Sequence, residues 1–210
     1  MSARTLSRAC ALVVAGMAVA AWASQAKPPP PPPQPASSSG VDASLRRLAG
    51  VPDEPLALAI FKQKRELMLL RDGVPQQAFQ VRLGANPRGH KTSRGDYRTP
   101  EGVYRVCTIK PSRFKAFLWL SYPNEADARK AYRSGQITAA EYDRIVAALK
   151  EGRCPPADTP LGGVVGIHGD DEEPPRHYDW TQGCIAIPAG ANLAQLVSLV
   201  RPGTPVVIFP

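Results

Sequence analysis

A histidine and a cysteine lie sixteen residues apart near the C-terminus, and each is next to a glycine. His168 precedes Gly169, and Cys184 follows Gly183. A cysteine is a strong nucleophile where a nearby base or positive charge favours its thiolate, and an imidazole has a suitable pKa to take that proton. Adjacent glycines allow close backbone approach and leave main-chain N–H groups for an oxyanion. The pair predicts covalent catalysis, with Cys184 as nucleophile and His168 as general base.

Each of these residues also has a structural explanation. Most free cysteines are small buried hydrophobes, and a histidine at a strand end can be satisfied by backbone groups. His177 lies seven residues before Cys184 and competes with His168 for the role of base. Its neighbour Arg176 could hold a substrate carboxylate.

The segment between the two candidates is strongly acidic. Four consecutive carboxylates at 170–173 are followed by two prolines, Arg176 and His177. Carboxylates and a histidine can bind Ca²⁺ or Zn²⁺, but their spacing here matches no established metal motif. We therefore predict that this segment is a solvated lid beside the site. We expect the site to need neither a metal nor an organic cofactor.

The two candidates adjoin apolar runs that a sheet could hold in place. His168 follows the run 164–167, and Cys184 precedes the run 185–187. Many strands with a few helices predict an α+β fold, with the helical pair as a surface insertion at about 124–150. Hydrophobic patterning predicts strands at 56–61, 66–70, 77–83, 102–109, 116–122 and 206–209, and helices at 124–132, 138–150 and 188–200.

Several separated motifs together resemble the catalytic domain of the YkuD-type L,D-transpeptidases. The resemblance runs over about 56–209 and implies a β-rich fold of mixed sheets in a sandwich with a few helices. It also implies cysteine acyl transfer on peptidoglycan stem peptides. The motifs are LGANPRGHK at 83–91, GDYRTPEGVY at 95–104, SYPN at 121–124, IHG at 167–169 and DWTQGCIAI at 179–187.

The resemblance assigns roles around the nucleophile and base. The carbonyl of Gly169 would orient His168, and the amides of Gly183 and Cys184 would form the oxyanion hole. Thr181 occupies the Ser/Thr position of the family motif.

Two positions depart from the family pattern. Gln182 stands where the family usually has histidine, and Ala186 stands where it often has arginine or asparagine. The motif is more similar to the branch that includes murein–lipoprotein hydrolases. Water is therefore an alternative to an amine as the acyl acceptor.

Three functions follow from these residues. The first is an exported cysteine acyl-transferase that forms a thioester with a stem peptide. The second is a hydrolase of the same bond, of the L,D-carboxypeptidase or amidase type, which could release a wall-linked protein. The third is a non-catalytic wall-binding protein, which the basic charge and a proline-rich spacer would suit.

The N-terminus resembles an export signal. Arg4 and Arg8 precede an apolar run at 9–21, and small residues at 21 and 23 favour cleavage after residue 23, or alternatively after 26. Alternatively, this N-terminal segment is not cleaved and anchors the protein in the membrane. We expect no other contact with a membrane. Residues 24–50 then form a Pro/Ser-rich linker, and 51–210 form the catalytic domain. The predicted location is the periplasm or the cell exterior, associated with the wall.

Export would remove Cys10 and leave three cysteines. The simplest arrangement is a disulfide between Cys107 and Cys154 with Cys184 as a free thiol, and three free thiols are the alternative. The formal charge is +8, which falls to about +6 without Arg4 and Arg8 and favours an anionic partner. No basic run with interleaved aromatics predicts nucleic-acid binding.

Overall fold

The computed structural model describes residues 55–210 except 171, 173–175 and 189–192. The expected signal peptide (1–23 or 1–26), the linker (24–50) and the first residues of the expected domain lie outside the described residues. Within the described part, every helix is too short or too polar to cross a bilayer.

Eight strands form one mixed sheet in the order β3-β2-β1-β8-β4-β5-β6-β7. Strands β1 and β8 are parallel, as are β6 and β7, and the other neighbours are antiparallel. The strands are β1 Leu56–Phe61, β2 Glu66–Arg71, β3 Val74–Gln80, β4 Gly102–Ser112, β5 Lys115–Leu120, β6 Gly166–Gly169, β7 Ile185–Ile187 and β8 Pro205–Phe209.

The sheet nearly closes on itself. Arg82, which follows β3 at one end of the strand order, forms a bridge with Ala186 of β7 at the other end. The predicted β-rich α+β fold is confirmed, as a single mixed sheet curved into a nearly closed barrel. This near closure leaves less exposed sheet edge than an open sheet would, and Phe79 is the buried residue of β3.

The main core lies inside this curved sheet. Leu58, Val106 and Leu118 are completely buried, and Ile167 and Ile185 extend the same cluster to the strands beside the two candidates. Helix α3, Leu193–Leu199, packs two leucines on this cluster. Burial of several large aliphatic side chains, each worth about 1.5–3 kcal/mol, fixes β6 and β7 relative to each other.

The predicted insertion is a pair of helices, α1 Glu125–Arg133 and α2 Ala139–Lys150. Each begins with a capping box, since the side chains of Asn124 and Thr138 accept hydrogen bonds from backbone N–H groups three residues ahead. The pair packs around its own apolar cluster: Ala128, Ala131, Ile137, Ile145 and Leu161. The insertion therefore has a core of its own.

Several element boundaries differ from the sequence-based expectation, most clearly those of β3 and of the last helix. Strand β3 begins at Val74 and not at 77, because Asp72 and Gly73, with φ of 49° and 76°, make a two-residue hairpin turn directly after β2. The helix expected at 188–200 covers 193–199 in the described residues, and 189–192 lie outside them.

Candidate active site

The parallel pairing of β6 and β7 brings the two candidate residues to one face. His168 is opposite Ala186, and Cys184 lies two residues before Ala186, directly ahead of β7. Side chains two residues apart on an extended segment point to the same face. The imidazole and the thiol therefore share one face at the β6–β7 seam.

The thiol of Cys184 lies against the segment that leads into β6. Its sulfur donates to the carbonyl oxygen of Val164 at 3.6 Å. Val164 has a φ of 56°, which is unusual for a β-branched residue. This bend turns its carbonyl towards the sulfur, next to the first residue of β6.

Burial of the thiol dominates its ionisation. Although Cys184 is a partly exposed residue, enclosure of its sulfur raises the pKa of the thiol to about 11. The backbone N–H of Gly166 and the charge of Lys91 lower the pKa but do not offset burial. The thiol of Cys184 is therefore neutral at neutral pH, and nucleophilic attack by its sulfur would require a base.

His168 is buried and oriented by its own strand. Its Nδ1 lies 2.6 Å from the carbonyl oxygen of Gly169. A carbonyl can only accept, so this contact favours the tautomer with hydrogen on Nδ1. In that tautomer the lone pair of the imidazole is on Nε2, which is the nitrogen that can accept a proton.

Three aromatic rings enclose the imidazole. Phe114, in the turn between β4 and β5, stacks on it at 4.6 Å, and Phe117 on β5 lies parallel at 6.1 Å. Trp180 meets it edge-on at 5.8 Å. Gly166 makes room, because a Cβ there would lie 2.5 Å from the Phe117 ring. Sequence analysis missed these rings, since it placed 116–122 only as a strand.

The turn before the nucleophile is held by one hydroxyl. Thr181 Oγ1 donates to the carbonyl oxygen of Cys184 at 2.7 Å and accepts from the N–H of Gly183 at 3.1 Å. Gly183 has a φ of 127°, and a Cβ there would lie 2.6 Å from the carbonyl oxygen of Arg98. Only glycine fits this position without a backbone shift.

The N–H of Gly183, which the family resemblance assigns to the oxyanion hole, has a hydrogen-bond partner inside its own turn. Its N–H is engaged by the hydroxyl of Thr181, two residues earlier, because threonine readily forms such short side-chain turns. The N–H of Cys184 is the other donor that the family resemblance assigns to the hole. The lack of a side chain at Gly183 allows the backbone carbonyl of Arg98 to approach this turn closely.

The aspartate of the DWT motif anchors the nucleophile segment to the other end of the sheet. Asp179 accepts from the N–H of Leu83 at 2.9 Å and pairs with Arg65 at 2.7 Å. The N–H groups of Trp180 and Thr181 both donate to the Leu83 carbonyl at 3.1 Å. Sequence analysis did not identify Arg65 as part of the site.

A structured loop supports the same turn from the opposite side. Lys91 is buried, and its ammonium donates to Asp96 at 2.7 Å and to the carbonyl of Ser93 at 2.9 Å. Burial would raise the pKa of Asp96, but Lys91 and the N–H groups of neighbouring residues hold it below its usual value. The loop thereby positions the Arg98 carbonyl against Gly183.

The acidic segment is not simply a solvated lid. The side chain of Asp170 is completely buried and pairs with Arg176, which also pairs with Glu172. Both acids engage the guanidinium of Arg176, the residue that the sequence suggested for a substrate carboxylate. His177 and Gln182 are exposed. No group of three or more possible metal ligands occurs among the described residues.

Cys107 and Cys154 are joined by a disulfide, with their Cα atoms 5.2 Å apart, and Cys184 is a free thiol. The bridge ties β4 to the chain that follows α2. That chain continues to Val164, whose carbonyl meets the nucleophile. The bridge therefore restrains one wall of the site.

Comparison with known proteins agrees with this architecture. No curated protein sequence is significantly similar to the chain. One similar solved structure is the helical cell shape determining protein Pgp2 (K307A mutant) from Campylobacter jejuni, with 19% identity, a TM-score of 0.52 and coverage of 75% of this chain and 48% of that chain. Another is the Enterococcus faecium L,D-transpeptidase C442S mutant, with 15% identity, a TM-score of 0.45 and coverage of 74% and 50%.

This chain spans about half the length of these two structures. At 19% identity, the likeness to the Campylobacter jejuni structure concerns the fold alone. The family model of the L,D-transpeptidase catalytic domain, YkuD, matches residues 56–208. That range contains both candidate residues and all eight strands but the last residue of β8. The chain belongs to the YkuD family of L,D-transpeptidase catalytic domains.

Proposed function

We propose that this protein is an exported L,D-transpeptidase that forms a thioester between Cys184 and a peptidoglycan stem peptide. One observation carries the proposal: a free thiol and a backbone-oriented imidazole share one face of the β6–β7 seam. Membership of the YkuD family supports the choice of substrate class. No cofactor is required for the steps below.

Acylation begins from a neutral thiol and a neutral imidazole. Nε2 of His168 takes the thiol proton as the sulfur of Cys184 attacks the carbonyl carbon of the third, diaminopimelate-type residue. A C–S bond forms, and the carbonyl electron pair moves to oxygen, where the N–H of Cys184 can stabilise it. Loss of one oxyanion donor typically costs about 10²–10³ in rate.

Collapse of this intermediate breaks the C–N bond, and the imidazolium of His168 returns its proton to the leaving amine. The product is a thioester on Cys184. An acceptor amine or water then attacks the thioester carbonyl while His168 takes the acceptor's proton. Collapse breaks the C–S bond, and protonation of the thiolate restores the resting enzyme.

Hydrolysis is the second candidate, and two positions favour it. Ala186 is fully buried and supplies no polar atom beside the nucleophile, whereas the family often has arginine or asparagine there. Gln182 replaces the usual histidine and is exposed. Because fewer groups are present to hold a second peptide, water competes better with an amine for the thioester. A protein linked to the wall through an amide could then be the group that is released.

Export is supported by the disulfide. A bridge between Cys107 and Cys154 persists in oxidising compartments and rarely in the cytosol. The basic charge of the chain would also favour contact with an anionic wall polymer. We therefore place the enzyme in the periplasm or outside the cell.

Incubation of the full chain with purified disaccharide-tetrapeptides tests the proposal, with protein and products both followed by mass. An acyl adduct on Cys184 followed by a cross-linked dimer indicates transfer, whereas a disaccharide-tripeptide, lighter than the substrate by its terminal residue, together with the free amino acid indicates hydrolysis. Cys184→Ala should fold normally and give neither adduct nor product. Full turnover by that variant would refute the role of Cys184 as nucleophile. The absence of both adduct and product with wild type would refute enzymatic activity and leave a wall-binding role.

A further inference from the structure

We propose that Arg176 is a positioning residue for the base, which it serves by balancing the buried carboxylate of Asp170 and by holding Trp180 against His168. The kinetic consequence of this proposal rests on the proposed function. Its electrostatic consequence does not, because it concerns the protonation of His168 in the enzyme without substrate.

Asp170 introduces a buried charge close to the base. It lies two residues after His168, its side chain has 0% exposure, and one of its oxygens, Oδ1, pairs with Arg176. Its other oxygen, Oδ2, is buried without a hydrogen-bond partner among the described residues. A buried carboxylate is tolerated only with a compensating partner. Arg176 is that partner.

Arg176 also connects this carboxylate to the aromatic enclosure. Its guanidinium lies 4.1 Å from the centre of the Trp180 ring, and Trp180 contacts the imidazole edge-on at 5.8 Å. The Arg176 backbone is itself fixed, since its carbonyl accepts from Arg82 Nε at 2.9 Å. One side chain therefore links the buried charge, the indole and the base.

Most other charges near the imidazole are already balanced. Lys91 pairs with Asp96, and Asp179 beside Trp180 pairs with Arg65. Solvent screens the exposed Arg113 and Lys115, which flank Phe114. Among the residues that the structure describes, the charged or titratable groups on the elements around His168 are Asp170, Glu172 and Arg176 from the loop after β6, Cys184 ahead of β7, Asp179 beside Trp180, and the 113–115 turn.

Removal of Arg176 would leave Asp170 as the nearest uncompensated charge. An anion favours the charged imidazolium, so the pKa of His168 would rise and less neutral base would exist at neutral pH. Removal of the Asp170 carboxylate alone would take away the buried negative charge while Arg176, still paired with Glu172, stays positive, so the pKa of His168 would fall. The two changes thus have opposite signs, which a purely structural role would not produce.

An NMR titration of the histidine side chains in the full, substrate-free chain measures this directly, with His168→Gln identifying the resonance. Arg176→Met should raise the pKa of His168 by about one unit, and Asp170→Asn should lower it. The double variant should return close to wild type. Arg176→Lys keeps the charge and should shift the pKa little, although it loses the stack on Trp180. Arg144→Met, which breaks an exposed pair with Asp158, is the matched control.

Unchanged pKa values in both single variants, or shifts of the same sign, would overturn the proposal. Should Arg176→Met fail to fold, the downward shift in Asp170→Asn tests the same coupling. In kinetic measurements, the acidic limb of the pH profile of kcat/KM should shift by the same amount as the pKa of His168. Shifts in an enzyme that is inactive on muropeptides would refute the proposed function alone, whereas activity without shifts would refute the positioning role alone.

Discussion

The hydroxyl of Thr181 donates to the carbonyl oxygen of Cys184 at 2.7 Å, across the turn that presents the nucleophile. The same oxygen accepts from the N–H of Gly183. One buried side chain thereby satisfies both a donor and an acceptor of the backbone, and it sets the direction in which Cys184 leaves the turn.

Thr181→Val keeps the shape of the side chain and removes both hydrogen bonds. Two backbone groups then lose a buried partner, so we expect a loss of about 1–3 kcal/mol in the free energy of unfolding and a large fall in acylation rate. Thr181→Ser retains the oxygen and should stay close to wild type in both. Urea denaturation and adduct formation by mass measure the two effects. Equal behaviour of the valine and serine variants would contradict this role.

Gly183 is constrained by both conformation and space, which a pair of alanine variants can separate. Gly183→Ala places a Cβ 2.6 Å from the Arg98 carbonyl at a φ of 127°, and should cost about 2–4 kcal/mol. Gly152→Ala, at a φ of 67° with no atom within 4 Å, should cost about 1 kcal/mol. Thermal unfolding of both variants tests the difference. Similar melting temperatures would show that contact with the 98 carbonyl is unimportant.

The sequence was most informative where the determinants are local. The glycine-flanked His168 and Cys184 are visible in a short stretch of sequence, and the β-rich fold follows from strand patterning. The start of β3 was misplaced by three residues, because the strand resumes directly after the turn at Asp72 and Gly73. Local patterning determines the elements but not which of them become neighbours in the sheet.

The parts of the site that were missed depend on contacts between distant segments. Arg65 and Asp179 are 114 residues apart in sequence, and no local pattern pairs them. Phe114 reaches His168 only because β5 pairs with β6. Arg176 was placed at the site for a substrate carboxylate, yet burial of Asp170 determines its partner. Burial of a single acidic residue cannot be inferred from an acidic run.

The disulfide should contribute substantially to stability. It closes a loop with a sequence separation of 47, for which restriction of the unfolded chain gives about 4 kcal/mol. Urea denaturation of Cys107→Ala/Cys154→Ala should show this loss, and a reductant should have no further effect on that variant. Cys184→Ala, which keeps the bridge, is the control and should unfold close to wild type. An unchanged midpoint in the double variant would argue against a structural bridge.

The raised pKa of Cys184 predicts a specific pH dependence of alkylation. With a thiol pKa of about 11, the rate with iodoacetamide should rise about tenfold per pH unit from pH 7 to 10, without the plateau near pH 9 that an ordinary cysteine shows. The chain unfolded in guanidinium supplies that ordinary cysteine as an internal reference. A plateau below pH 9 in the folded protein would mean that a neighbouring charge, and not burial, determines the pKa of the Cys184 thiol.

The same shift makes stability depend on pH in a direction that can be checked. Because the folded protein holds the Cys184 proton more tightly than the unfolded chain, this group stabilises the fold below the unfolded pKa. That contribution should decline as the pH rises from about 9 towards 11. Subtracting the unfolding free energy of Cys184→Ala from that of wild type isolates it, since the other titrating groups are common to both. A difference that stays flat or grows across this window would mean that the thiol ionises more easily in the fold, and catalysis would then begin from a thiolate.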